Sequence, residues 1–154
     1  MSIYEATVRW TCGDGDFLSD DYSRGHVWTF DGGIEVPASA SPDIVPLPKS
    51  IAEAVDPEEA FVASLASCHM LFFLSLAARR GIHVASYEDA ATGHMGKDAD
   101  GRTSVTRVVL RPAATYADGV SPELAELEPL HHRAHELCFI ANSVRSEIVT
   151  EIVS

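Results

Sequence analysis

Asp56-Pro57-Glu58-Glu59-Ala60-Phe61-Val62-Ala63-Ser64-Leu65-Ala66-Ser67-Cys68-His69-Met70-Leu71-Phe72-Phe73-Leu74-Ser75-Leu76-Ala77-Ala78-Arg79-Arg80-Gly81 reads as one helix with both ends written into it. Aspartate is a good cap, proline fits the first helical position, and acids in the first turn complement the helix dipole. Two arginines and a glycine close it, because cations suit the carbonyl end and glycine adopts the left-handed stop. The span makes about six turns at 3.6 residues each. Residues 60–78 carry no Asp, Glu, Lys or Arg, which is about the length of a membrane span. Ser64, Ser67, Cys68, His69 and Ser75 interrupt the apolar run, and charged pairs bound it tightly. The expectation is therefore the central helix of a globular core, with no membrane insertion. Phe61, Leu65, Met70, Leu71, Phe72 and Phe73 are its expected core residues.

Outward from this helix the pattern changes to strands. Toward the N-terminus, residues 3–11 alternate loosely, and His26-Val27-Trp28-Thr29-Phe30, Asp31-Gly32-Gly33 and Ile34-Glu35-Val36 read as strand, tight turn and strand. Four prolines between 37 and 50 predict an extended loop. Beyond the helix, 87–95 and 103–116 predict a long hairpin across the turn 96–101. Ser121-Pro122-Glu123 starts a second helix through Leu124, Leu127, Leu130, Ala134 and Leu137. A strand over 146–153 ends the chain. The expected class is α+β, strands at both ends of the chain around two main helices, in a single domain over 1–154.

Composition narrows the function. Asp and Glu number 23 against 11 Lys and Arg, a net charge of −12. Such a surface repels phosphate backbones and anionic membranes, which argues against nucleic-acid binding. Three cysteines form no secreted disulfide framework, and Met1-Ser2-Ile3-Tyr4-Glu5 has neither region of a secretory leader. The expectation is a cytoplasmic protein with thiol chemistry.

Two of the three thiols sit in apolar helical segments: Cys68 in the central helix, and Cys138 in His135-Glu136-Leu137-Cys138-Phe139-Ile140-Ala141-Asn142-Ser143. A thiol so placed is either a small inert hydrophobe or a nucleophile shielded from water. Cys12 lies beside a turn, matches no motif and is expected to be a bystander. His131, His135 and Cys138 fall at i, i+4 and i+7 on one helix face, a rival metal-ligand pattern. Paired CxxC or HExxH spacing is absent, so the expectation is no metal.

Taken together these residues become recognisable. Pro57-Glu58-Glu59-Ala60-Phe61 and the small-residue run into Cys68 resemble the helix start and first cysteine motif of the OsmC/Ohr family. Ala134 through Ser143 resembles that family's second cysteine motif, and Tyr22-Ser23-Arg24-Gly25-His26 its N-terminal arginine region. The resemblance implies an OsmC-like fold, an intertwined homodimer with active sites at the subunit interface, and a thiol peroxidase acting on organic hydroperoxides. Carried over, Cys68 is the peroxidatic thiol, Cys138 the resolving thiol, Arg24 the arginine and Glu58 the glutamate of the site. His69 departs from the pattern, since many members carry Phe after the first cysteine.

The chemistry fits those residue types. The thiolate is the nucleophile that attacks the O–O bond, and a shielded thiol needs a nearby cation to give up its proton. Arg24 supplies that charge and can hydrogen-bond the peroxide, with Glu58 holding the guanidinium in a fork–fork pair. Sulfenic acid at Cys68 then condenses with Cys138, and a dithiol reductant (lipoyl or low-molecular-weight) restores both; no cofactor is needed. Glu58 and Cys68 are ten residues apart on one helix, about 15 Å along its axis. For both to serve one site, Glu58 must come from the second subunit. The rival class is a non-catalytic protein on the same scaffold, binding a small apolar or thiol-bearing ligand.

Overall fold

The computed structural model describes residues 1–153, which divide into two compact units, residues 1–60 and 61–153. The first unit holds an antiparallel sheet of β1 (Ala6–Arg9), β2 (His26–Phe30) and β3 (Glu35–Ala38), with β2 in the centre. The Asp-Gly signal is realised between β2 and β3, where the Phe30 and Gly33 amides bond across the turn. The proline-rich segment after β3 is an irregular loop, but it does not run extended: the Ile44 and Val45 amides turn back to the Ser41 carbonyl and the Lys49 amide to the Pro46 carbonyl.

Helix α1 spans Pro57–Arg79. Its start is a reciprocal cap: the Glu59 amide donates to Asp56 Oδ1 at 2.8 Å, and the Asp56 amide donates to Glu59 Oε1 at 3.1 Å. It ends in a Schellman closure, with the Ile82 amide on the Ala77 carbonyl and Gly81 at φ +73°, where glycine carries no steric penalty. Leu65, His69, Phe73 and Ala77, one stripe at i+4 spacing, are its buried residues.

In the second unit, β4 (Val84–Asp89), β5 (Thr92–Lys97), β6 (Thr103–Leu110) and β7 (Pro112–Tyr116) follow α1. The expected long hairpin is present but broken into two ladders: β5 pairs β6, and β4 pairs β7. The break falls where Pro112 has no amide to donate and the Arg111 amide turns instead to Asp89 Oδ1 at 2.6 Å. Helix α2 (Leu124–Leu137) then crosses back to β8 (Glu147–Thr150), which pairs parallel to β6. Glu123, not Ser121, caps α2, because Glu123 and Glu126 satisfy each other's backbone amides.

The core of this unit has two parts. Phe73 and Ala77 of α1 meet Leu127, Leu130 and Ala134 of α2, and Leu65 meets Val108 and Leu110 of β6. Each fully buried Leu or Phe contributes about 2 kcal/mol of hydrophobic stabilisation. Leu71 departs from expectation: it is 60% exposed, because only the Leu65 stripe of α1 faces the core. On length and hydropathy alone α1 could cross a membrane; its buried stripe instead carries the core of this unit. The class is α+β, two helices with strands on both sides of them in the chain.

Candidate functional site

Helix α1 places Cys68 one residue before its buried stripe, which leaves the side chain half-buried. Cys138 is not inside a helix, as its apolar surroundings predicted. It is the C-cap of α2, with φ −64° and ψ 111°, and a 3-10 turn at Ala141–Ser143 follows. There it is 1% exposed, and its Sγ accepts the Ala141 amide at 3.4 Å. The structure brings the two thiols side by side, unbonded. Burial pushes the Cys138 thiol up to about 11, and the adjacent Cys68 thiol adds to the effect. Phe72 and Phe139 meet edge to face beside the pair, with ring centroids 5.1 Å apart.

Arg24 is held firmly within the first unit. Its Nη2 donates to Asp20, its Nη1 donates to the Tyr22 carbonyl at 2.7 Å, and its guanidinium lies 3.6 Å from the Tyr22 ring centroid. The Tyr22 ring is itself wedged against Trp10 and Phe17. Asp20 adopts φ +59°, a conformation aspartate tolerates, and Arg24 and Lys49 hold its carboxyl below the usual carboxylate range. Within the first unit, Asp20 is thus the carboxylate that holds the Arg24 guanidinium. The spacing could have shown this, since Asp20 precedes Arg24 by four residues. Glu58 is half-buried in the first turn of α1 and has no ion pair among the described residues. Cys12 donates to the Gly15 carbonyl at 3.4 Å, a turn contact within the first unit.

His131 does not lie on a solvated helix face. It is 4% exposed, and its Nδ1 is engaged with Nε2 of His69 at 3.0 Å. Among the described residues no three His, Cys, Asp or Glu side chains converge on a metal position. The signal for burial was in the sequence: His131 falls in the apolar stripe of Leu127, Leu130 and Ala134.

Comparison with known proteins decides the family, for residues 50–153 match the family described as OsmC-like protein. The chain belongs to the OsmC-like family. An OsmC-like protein of unknown function from Vibrio cholerae is 55% identical, covers 99% of this chain and 100% of its own, and superposes with a TM-score of 0.96. The organic hydroperoxide resistance protein of Elizabethkingia anophelis shares the OsmC-like fold at 17% identity, with a TM-score of 0.69 over 98% of this chain and 95% of that one. An organic hydroperoxide resistance protein-like relative from Staphylococcus aureus is 27% identical over 84% of this chain and 85% of its own. The OsmC-like fold and the family inferred from the cysteine motifs are thus both present, in a chain whose two motif cysteines stand together.

Proposed function

We propose that this protein is a cytoplasmic, homodimeric thiol peroxidase that reduces organic hydroperoxides with Cys68 and Cys138. The observation that carries this is the adjacency of the two motif cysteines, one half-buried and one fully buried. The Cys68 thiolate attacks the distal peroxide oxygen, the O–O bond breaks, and the alcohol leaves after taking a proton. Cys138 then attacks the Cys68 sulfenic acid, forming the disulfide and releasing water. A dithiol, lipoyl or low-molecular-weight, returns both cysteines to thiols and is itself oxidised to a disulfide. Arg24, pre-oriented by Asp20 and Tyr22, is the group proposed to bind the peroxide oxygens. Glu58 of the partner subunit is proposed to complete that site, for the axial distance argument above excludes Glu58 of the same helix. The Staphylococcus and Elizabethkingia relatives, named for hydroperoxide resistance, support the reading.

One observation favours the second reading, a binding protein with structural thiols: the Cys138 thiol is held at about 11, which keeps it a poor nucleophile at rest. Part of that effect comes from the neighbouring Cys68 thiol. Intact mass after one equivalent of cumene hydroperoxide, with thiol counting, separates the two. The peroxidase loses two thiols as a disulfide, and Cys138→Ser retains a trappable sulfenic acid at Cys68. Thiols untouched by excess oxidant would hand the protein to the binding class.

A further inference from the structure

Two buried imidazoles lie on the helices that carry the thiols, without belonging to the peroxide chemistry. His69 follows Cys68 in α1, and His131 stands in α2, seven residues before the Cys138 cap. They are 1% and 4% exposed. Their ring planes differ by 2° with centroids 5.2 Å apart, while Nε2 of His69 and Nδ1 of His131 approach to 3.0 Å. The rings therefore meet end to end in one plane, through a single directional hydrogen bond. Phe73 fixes the plane of the His131 ring from its face, at a centroid distance of 4.1 Å.

This bond carries a cost. Nδ1 of His69 is buried with no partner among the described residues, which is unfavourable for a polar atom. An apolar ring at 69 would fill the space without that loss. The core residues around the pair, Ala77, Leu127, Leu130 and Ala134, are apolar and their side chains make no directional bond. A slip of one helix along the other by one turn, about 5.4 Å, would carry one sulfur out of reach of the other, since disulfides need Cα atoms roughly 4.4–6.8 Å apart. Buried polar pairs are best attested where they fix register.

We propose that the His69–His131 hydrogen bond is a positioning device, setting the axial register of α1 against α2 so that Cys68 and Cys138 can close a disulfide. Neither imidazole touches the peroxide. The inference rests on the two-thiol reading above, but its test needs no hydroperoxide.

Isosteric substitutions separate the bond from its shape. His131→Asn keeps a donor or acceptor where Nδ1 stands, and His131→Leu removes it at the same volume; His69→Gln and His69→Met do the same for Nε2. In a Cys12→Ser background, each variant is equilibrated with oxidised dithiothreitol, which takes two electrons and two protons as the Cys68–Cys138 disulfide forms. The expected result is a disulfide equilibrium constant within threefold of the parent for Asn and Gln, and at least tenfold lower for Leu and Met. Equal constants within both isosteric pairs overturn the proposal. So does unfolding of the Leu and Met variants, since the bond would then hold the fold and not the register. A parent chain inert to cumene hydroperoxide that still shows the isosteric difference would sink the peroxidase reading alone. A parent that never closes the disulfide overturns both.

Discussion

The His131 imidazole lies face to face on the Phe73 ring, with centroids 4.1 Å apart and planes within 7°. A neutral ring gains from that contact, and a charged one would bring its charge into a buried, largely apolar core. Burial, followed by the His135 charge for His69 and by the His69 charge for His131, brings both imidazoles down to about 4 from 6.5. Other titratable neighbours do not offset this: burial keeps the Tyr87 phenol, packed on Phe73, and the Cys138 thiol uncharged. Between pH 6.5 and 4 the unfolded chain binds protons that the folded chain refuses, so stability falls as pH falls through that window. The shift is worth about 3 kcal/mol for one imidazole. Urea unfolding at pH 7, 5.5 and 4.5 should show the loss, and His131→Leu should flatten it. A pH-independent midpoint over that range would contradict the burial argument.

Asp20 fixes Arg24 from an exposed position, so its role can be tested without disturbing a core. Asp20→Asn is expected to slow oxidation of Cys68 by cumene hydroperoxide about tenfold in stopped-flow measurements, the scale of losing one orienting contact. The thermal midpoint should stay put. Arg24→Lys, which keeps the charge but loses the planar fork, is expected to slow it at least as much.

Cys138→Ser replaces a thiol that is 1% exposed with a hydroxyl that wants a stronger partner. It is expected to cost about 1–3 kcal/mol in urea unfolding while leaving Cys68 able to form a sulfenic acid. Cys68→Ser should abolish hydroperoxide consumption altogether. Residual turnover in that variant would move the chemistry elsewhere.

Gly93 of β5 lies close against Val62 of α1 within the second unit. A Cβ there would stand 2.6 Å from Cγ2 of Val62, and 3.4 Å from Val105. Gly93→Ala is expected to destabilise by about 1–3 kcal/mol, and Val62→Ala should recover part of that loss by making room. A fully additive double mutant would mean that the sheet, not Val62, gives way.

Leu71 is 60% exposed on a helix with no charge between 60 and 78. Leu71→Glu is expected to weaken the proposed homodimer in sedimentation velocity and to lower peroxidase activity with it. A well-folded monomer with full activity would end the argument that Glu58 acts across subunits.

What the sequence made legible was local. Asp56, Pro57, Glu59 and Gly81 define both ends of α1 through bonds to near neighbours, and the Asp31-Gly32 turn does the same for its hairpin. Where two local signals competed, the structure chose: Ser121-Pro122 looked the better start for α2, but Glu123 and Glu126 cap each other. The break between the β4–β7 and β5–β6 ladders depends on where Arg111 finds an acceptor, a contact 22 residues distant. The cysteine pair was readable because each thiol carries its own motif. The His69–His131 bond was not, for it joins residues 62 apart and neither flank announces the other.

Cys68 lies mid-helix, bound into the hydrogen-bond ladder on both sides, whereas Cys138 occupies the joint between α2 and a short 3-10 turn. The two halves of a redox cycle would thus fall on parts of unequal stiffness. One sulfur behaves as an anvil, and the other as a latch whose backbone can swing without unwinding a helix. Oxidation should accordingly leave its imprint on amide exchange at 138–144 and spare 60–72, so that the protein's oxidation state can be read from the loosening or tightening of seven consecutive amides.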